Sequence, residues 1–117
     1  MSGEAMAITS EGASALRPIS VLIDRIRAHY DPVQIWLFGS RARGDAREDS
    51  DWDLLAVVDD ATPDEMFEPE RMWRLLDLGQ FHADVVLFPR SEFIEDADTP
   101  NTLPYPVSRE GRLLYER

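Results

Sequence analysis

The stretch Trp52-Asp53-Leu54-Leu55-Ala56-Val57-Val58 constrains the fold most, being apolar at six of seven positions and closed by Asp59-Asp60. A strand with one wet face alternates apolar and polar residues. A near-continuous run reads instead as a strand covered on both faces or placed centrally in its sheet. Two more segments read as strands: Val33 to Phe38 (VQIWLF), which runs into Gly39, and Ala83 to Phe88 (ADVVLF), ended by Pro89.

Helical periodicity supplies the cover. Leu16, Ile19, Leu22, Ile23, Ile26 and Tyr30 recur at spacings of three and four, predicting a helix over Arg17 to Tyr30 with Pro18 in its first turn and Asp31-Pro32 as its stop. Thr62-Pro63-Asp64-Glu65 reads as a capped helix start, with a helix running to Leu78 and stopped by Gly79. Ser91 to Ala97 reads as a short helix and Asn101 to Pro106, with two prolines, as irregular. Gly111 to Tyr115 offers a last strand or helical turn. Residues 1–14 are small, polar and aperiodic and read as a flexible tail, leaving 15–117 as a single domain. The order helix, strand, strand, helix, strand describes a small α/β sheet domain.

Charge and composition exclude several functions. Against 23 acids stand 12 basic residues, every one an arginine, for a net charge of -11. Affinity for DNA or anionic lipid grows with phosphate neutralisation, so neither is expected as a partner. Without lysine there is no Walker-type P-loop and no Schiff base, and without cysteine no disulfide or thiolate chemistry. No apolar run approaches the length of a membrane span, and the N-terminus lacks the basic and apolar regions of a signal peptide. A soluble, cytoplasmic protein is expected.

Chemistry concentrates in Leu37-Phe38-Gly39-Ser40-Arg41-Ala42-Arg43-Gly44 and Ser50-Asp51-Trp52-Asp53-Leu54. A strand ending in Gly-Ser and turning into a short helix presents backbone N–H groups to an anion. Gly39 permits close approach and Ser40 adds a hydroxyl donor. Arg41 and Arg43 lie close enough to grip phosphate oxygens. Asp51 and Asp53, one residue apart on a strand, point to one face while Trp52 points to the other. Carboxylates held that close repel unless a cation lies between them, and Mg²⁺ is the hard cation that keeps positions open for phosphates. Asp84, opening the third strand, is placed to complete a two-metal site. The other acids near this motif, Asp45, Asp49, Asp59 and Asp60, read as solvated turn residues, as does Arg47 among the bases. His29 and His82 read as structural, and Trp36, Trp52 and Trp73 as core.

These residues resemble the minimal nucleotidyltransferase family of the DNA polymerase β-like nucleotidyltransferase superfamily. The matching positions are Leu37 to Gly44, Ser50, Asp51, Asp53, Leu54 and Asp84, within residues 16–88, with a weaker likeness over Arg109 to Glu116. Trp52 stands where an aliphatic residue is commoner. The resemblance implies an α/β (α+β) fold, a small mixed β-sheet with helices packed on it. It implies ATP as substrate with two Mg²⁺ ions held by Asp51, Asp53 and Asp84, and β/γ-phosphates cradled by Gly39 and Ser40. It further implies an antitoxin that transfers AMP to a tyrosine hydroxyl of a HEPN-domain RNase toxin, in a pair of type VII character. Two alternatives stay open: an antitoxin that neutralises by binding alone, and a transferase for a small, aminoglycoside-like acceptor. The short chain has no second domain to shape a small-molecule pocket, which favours a macromolecular acceptor.

Overall fold

The computed structural model describes residues 17–44, 51–68, 70–71 and 83–117. Their elements are α1 (Arg17–Tyr30), β1 (Gln34–Phe38), the one-turn helix α2 (Ser40–Arg43), β2 (Trp52–Val58), a 3-10 helix (Asp64–Phe67), β3 (Ala83–Pro89), α3 (Arg90–Asp96), α4 (Pro104–Glu110) and β4 (Arg112–Glu116). The strands form one mixed sheet in the order β3-β2-β1-β4. β1 runs antiparallel to both β2 and β4, and β2 runs parallel to β3.

β2 is covered on both faces, as its apolar run requires. Trp52, Leu54, Ala56 and Val58 face α1, where Ile19, Leu22, Ile23, Ile26 and Tyr30 join Ile35 and Leu37 in the larger core layer. Leu55 and Val57 face the other way, onto Phe93 of α3 and Val107 of α4, with Trp36, Phe38 and Phe88 alongside. The strand therefore alternates between two apolar layers instead of between core and water. Its far end is tied to the end of α1 by the C-terminal residue, since Arg117 donates to Asp31 and Asp59 Oδ2 atoms, both at 2.9 Å.

Two expectations are corrected. Asn101 to Pro106 is not wholly irregular: α4 begins at Pro104 and takes both prolines into its first turn, where their missing N–H groups cost no intrahelical bond. The helix expected from Thr62 opens instead as the 3-10 helix, with Pro63 at its cap position and no capping side chain. Glu68 then turns extended (φ -65°, ψ 129°) because the following residue is Pro69, which disfavours helical geometry before it. Helical backbone resumes at Glu70 and Arg71. The rest of that expected helix, with Trp73 and the stop at Gly79, lies outside the described residues, as do His82 and the N-terminal tail. The first helix does end at Tyr30 as expected, Asp31 leaving it through left-handed backbone (φ 47°) with its N–H donated to Arg27 O at 3.1 Å.

Candidate active site

The site begins where β1 ends. Gly39 has φ 77° and ψ -159°, a region open essentially to glycine alone. That conformation swings the chain straight from β1 into α2. The Gly39 carbonyl accepts from Ala42 and Arg43 N–H groups, both at 3.1 Å, and Gly44 closes the turn in left-handed backbone. A second constraint also demands glycine at 39: a Cβ there would overlap Oδ2 of Asp53. The phosphate-type turn and the Asp53 carboxylate thus lie in direct apposition.

Register brings the acids together. Asp53 pairs with Phe38 across the antiparallel β1–β2 ladder and with Asp84 across the parallel β2–β3 ladder. Ala83, Val85 and Leu87 pack against the α1-side core, so alternation along β3 sends Asp84 to the same face as Asp53. Asp51 lies one residue before β2 and is exposed, Asp84 is exposed, and Asp53 is half-buried. Burial, then the Asp84 charge, then the Asp51 charge hold the Asp53 carboxyl above the usual aspartate range, while Arg43 acts in the opposite direction. The charges of Asp51 and Asp84 thus both act on Asp53.

Among the described residues no three acidic or imidazole side chains form a ready-made cation cage. The donor set nonetheless fits Mg²⁺: it consists of hard carboxylate oxygens, and Mg²⁺ is commonly held by one or two carboxylates plus substrate phosphates. Repulsion at Asp53 that Arg43 offsets only in part, next to a glycine whose Cβ would fill the approach, is the arrangement such an ion would relieve.

The two arginines of α2 diverge. Arg43 is exposed and lines a cleft of about 160 Å³ with Phe38, Gly39, Pro106, Val107, Glu110 and Gly111. The Arg41 guanidinium lies over the Trp52 ring, 4.2 Å from its centroid. Ser40 opens α2 directly after Gly39. The contribution of α4 to the cleft is not evident in the motif residues. Gly111 carried the available signal: a Cβ there would meet Val107 O at 2.5 Å and Leu37 O at 2.9 Å, so it lets the α4–β4 turn press against β1 beside the site.

Comparison with known proteins follows this geometry. Residues 21–117 match the protein-family model described as "Polymerase beta, Nucleotidyltransferase". No curated protein matches the sequence. A solved structure described as "Crystal structure of the toxin-antitoxin with AMP-PNP" contains a chain similar to this one at a TM-score of 0.58 and 19% identity. The match covers 83% of this chain and 72% of that chain. At that identity the likeness is one of fold.

Proposed function

The chain belongs to the polymerase beta nucleotidyltransferase family, and from that premise we propose that it is a Mg²⁺-dependent protein adenylyltransferase acting as an antitoxin. Its substrate is ATP and its acceptor a hydroxyl, of tyrosine, on a HEPN-type RNase toxin. The observation that carries the reading is the register pairing of Asp53 with Asp84 beside the Gly39 turn. The similar fold found in a toxin–antitoxin structure with a nucleotide analogue supports the choice of partner class. Among the described residues no helix is long and apolar enough to cross a membrane.

Asp51, Asp53 and Asp84 would hold two Mg²⁺ ions, which when bound supply charge neutralisation for the triphosphate. The chain does the rest. Gly39 lets the β/γ-phosphates approach its backbone, and Ser40 donates its hydroxyl to them. Arg43 places positive charge between Asp53 and the cleft. Asp84, exposed on the edge strand β3, takes the proton of the acceptor hydroxyl. The acceptor oxygen attacks the α-phosphorus in line, the bond to the bridging oxygen breaks, and pyrophosphate leaves. Positioning and electrostatics do the work, as in phosphoryl transfer generally. AMP on the toxin adds bulk and negative charge where RNA would bind.

The test is the intact mass of the protein encoded beside this one, co-expressed with the wild-type chain and with the Asp51→Ala/Asp53→Ala variant. Mass increments of AMP with the wild type and none with the variant are expected. Neutralisation of the toxin by the double variant would replace this reading with neutralisation by binding. Transfer to a small soluble acceptor with no protein partner present would replace it with a small-molecule transferase.

A further inference from the structure

The helix that carries Ser40 has four residues, a single turn, and a turn that short cannot hold its own axis. Contacts to the sheet must fix where Ser40 stands relative to the carboxylates. Two such contacts are visible. Ala42 is 7% exposed and enters the α1-side core, and Arg41 lies over the Trp52 ring. Trp52 is itself 4% exposed in the same layer.

The placement of that stack is informative. Arg41 directly follows Ser40, and Trp52 stands between Asp51 and Asp53. The contact therefore joins the neighbour of the phosphate-binding serine to the hub of the two acids, and does so from the face opposite Asp53. Arg43, by contrast, acts electrostatically on Asp53 and lines the cleft beside Gly39. An aliphatic residue at position 52 would fill the core but offer no ring face to a cation. A lysine at 41 would keep the charge and lose the planar stack.

We propose that Arg41 is a positioning residue, braced on Trp52, which sets the spacing between the Gly39–Ser40 turn and the Asp51 and Asp53 carboxylates, while Arg43 alone of the pair addresses the nucleotide. The proposal rests on the nucleotidyltransferase reading above. Trp52 becomes the back support of the site, on the face of β2 away from the substrate.

The test measures AMP-PNP binding by calorimetry in the presence of Mg²⁺ for the full chain and for Arg41→Leu, Arg41→Lys, Trp52→Leu, Trp52→Phe and the Arg41→Leu/Trp52→Leu pair. Circular dichroism and Tm are recorded for each. Loss of the stack is expected to weaken binding by about fivefold in either leucine variant, the scale of one cation–π contact. The double variant should bind no worse than the poorer single one. Trp52→Phe, which retains a ring face, should recover most of the affinity, and Arg41→Lys less. Additive losses in the double variant, or a Trp52→Phe variant as weak as Trp52→Leu, would overturn the brace. So would a salt dependence of binding that flattens in Arg41→Leu, because that marks direct phosphate contact. Should Trp52→Leu fail to fold, Trp52→Phe and the two Arg41 variants still decide. A wild-type chain that binds no AMP-PNP at all sinks the nucleotidyltransferase reading itself, an outcome separate from any of these.

Discussion

Gly39 and Asp53 are so closely apposed that the glycine's missing Cβ is the space the carboxylate occupies. Backbone and side chain therefore favour the same residue at position 39 for independent reasons: a left-handed φ of 77° and a carboxylate that would have to move aside for a methyl. The turn that would cradle phosphates and the acid that would hold a cation form one unit.

Gly39→Ala should be among the most damaging single changes near the site. A non-glycine residue in this backbone region costs about 1–3 kcal/mol, and the overlap with Asp53 Oδ2 adds to it. Thermal unfolding should show a fall of several degrees, roughly 4–8 °C for each kcal/mol in a domain near this size. Combining Gly39→Ala with Asp53→Ala should recover only the part due to overlap. Full recovery would show that the backbone itself is unstrained.

Asp53 makes the chain without bound Mg²⁺ less stable at neutral pH. Folding raises its pKa, first through burial and then through Asp84 and Asp51, so the folded chain keeps a proton that the unfolded chain has already released. Stability then declines as pH rises from the ordinary aspartate range through the raised value, and the deficit persists at pH 7. Asp53→Asn removes it. The variant should melt higher than wild type at pH 7, by on the order of 1–2 °C given the partial exposure, and show no advantage at acid pH below both values. Mg²⁺ should narrow the gap by stabilising the wild type more than the variant.

The two layers of the core give a prediction that concerns the fold alone. Leu54 and Leu55 are both fully buried, one beneath α1 and the other beneath α3 and α4. Each change to alanine should cost about 2–5 kcal/mol, measured by urea unfolding. Were one face of β2 open to water, one of the two would cost far less.

Much of this arrangement is legible in the residues, and the gaps have physical causes. The run Trp52 to Val58 declares its double cover, and the periodicity of Ile19 to Tyr30 declares its helix, because burial writes both patterns directly into the chain. Asp53 and Asp84 are legible through their places on strands, with Asp51 just before one, but the pairing of Asp53 with Asp84 depends on the parallel register, which local pattern does not encode. Thr62 to Glu65 shows a local helix signal that Pro69, four residues beyond Glu65, overrides. Pro104 and Pro106 read as breakers until they are placed in a first turn. The direction of Arg41 is illegible for a different reason. In a one-turn helix, which side chain faces the sheet is decided by its neighbour, here the indole of Trp52, and not by any period.

On the proposed reading, Asp84 separates the chemistry of transfer from the binding of nucleotide. It lies on the edge strand and is exposed, opposite the half-buried Asp53, so an acceptor arriving from outside reaches it first. Asp84→Asn keeps shape and hydrogen-bonding capacity while removing the proton-accepting charge. Losing a general base costs typically about 10²–10⁴ in rate, so AMP transfer to the partner in single-turnover quench experiments should slow by that order. Asp51, Asp53 and the Gly39 turn are untouched in this variant, and calorimetric affinity for AMP-PNP with Mg²⁺ should fall by less than about tenfold, or 1.4 kcal/mol. Asp51→Ala/Asp53→Ala should lose both together. Equal losses of rate and affinity in Asp84→Asn would assign Asp84 to nucleotide binding alone and require another group to take the acceptor proton.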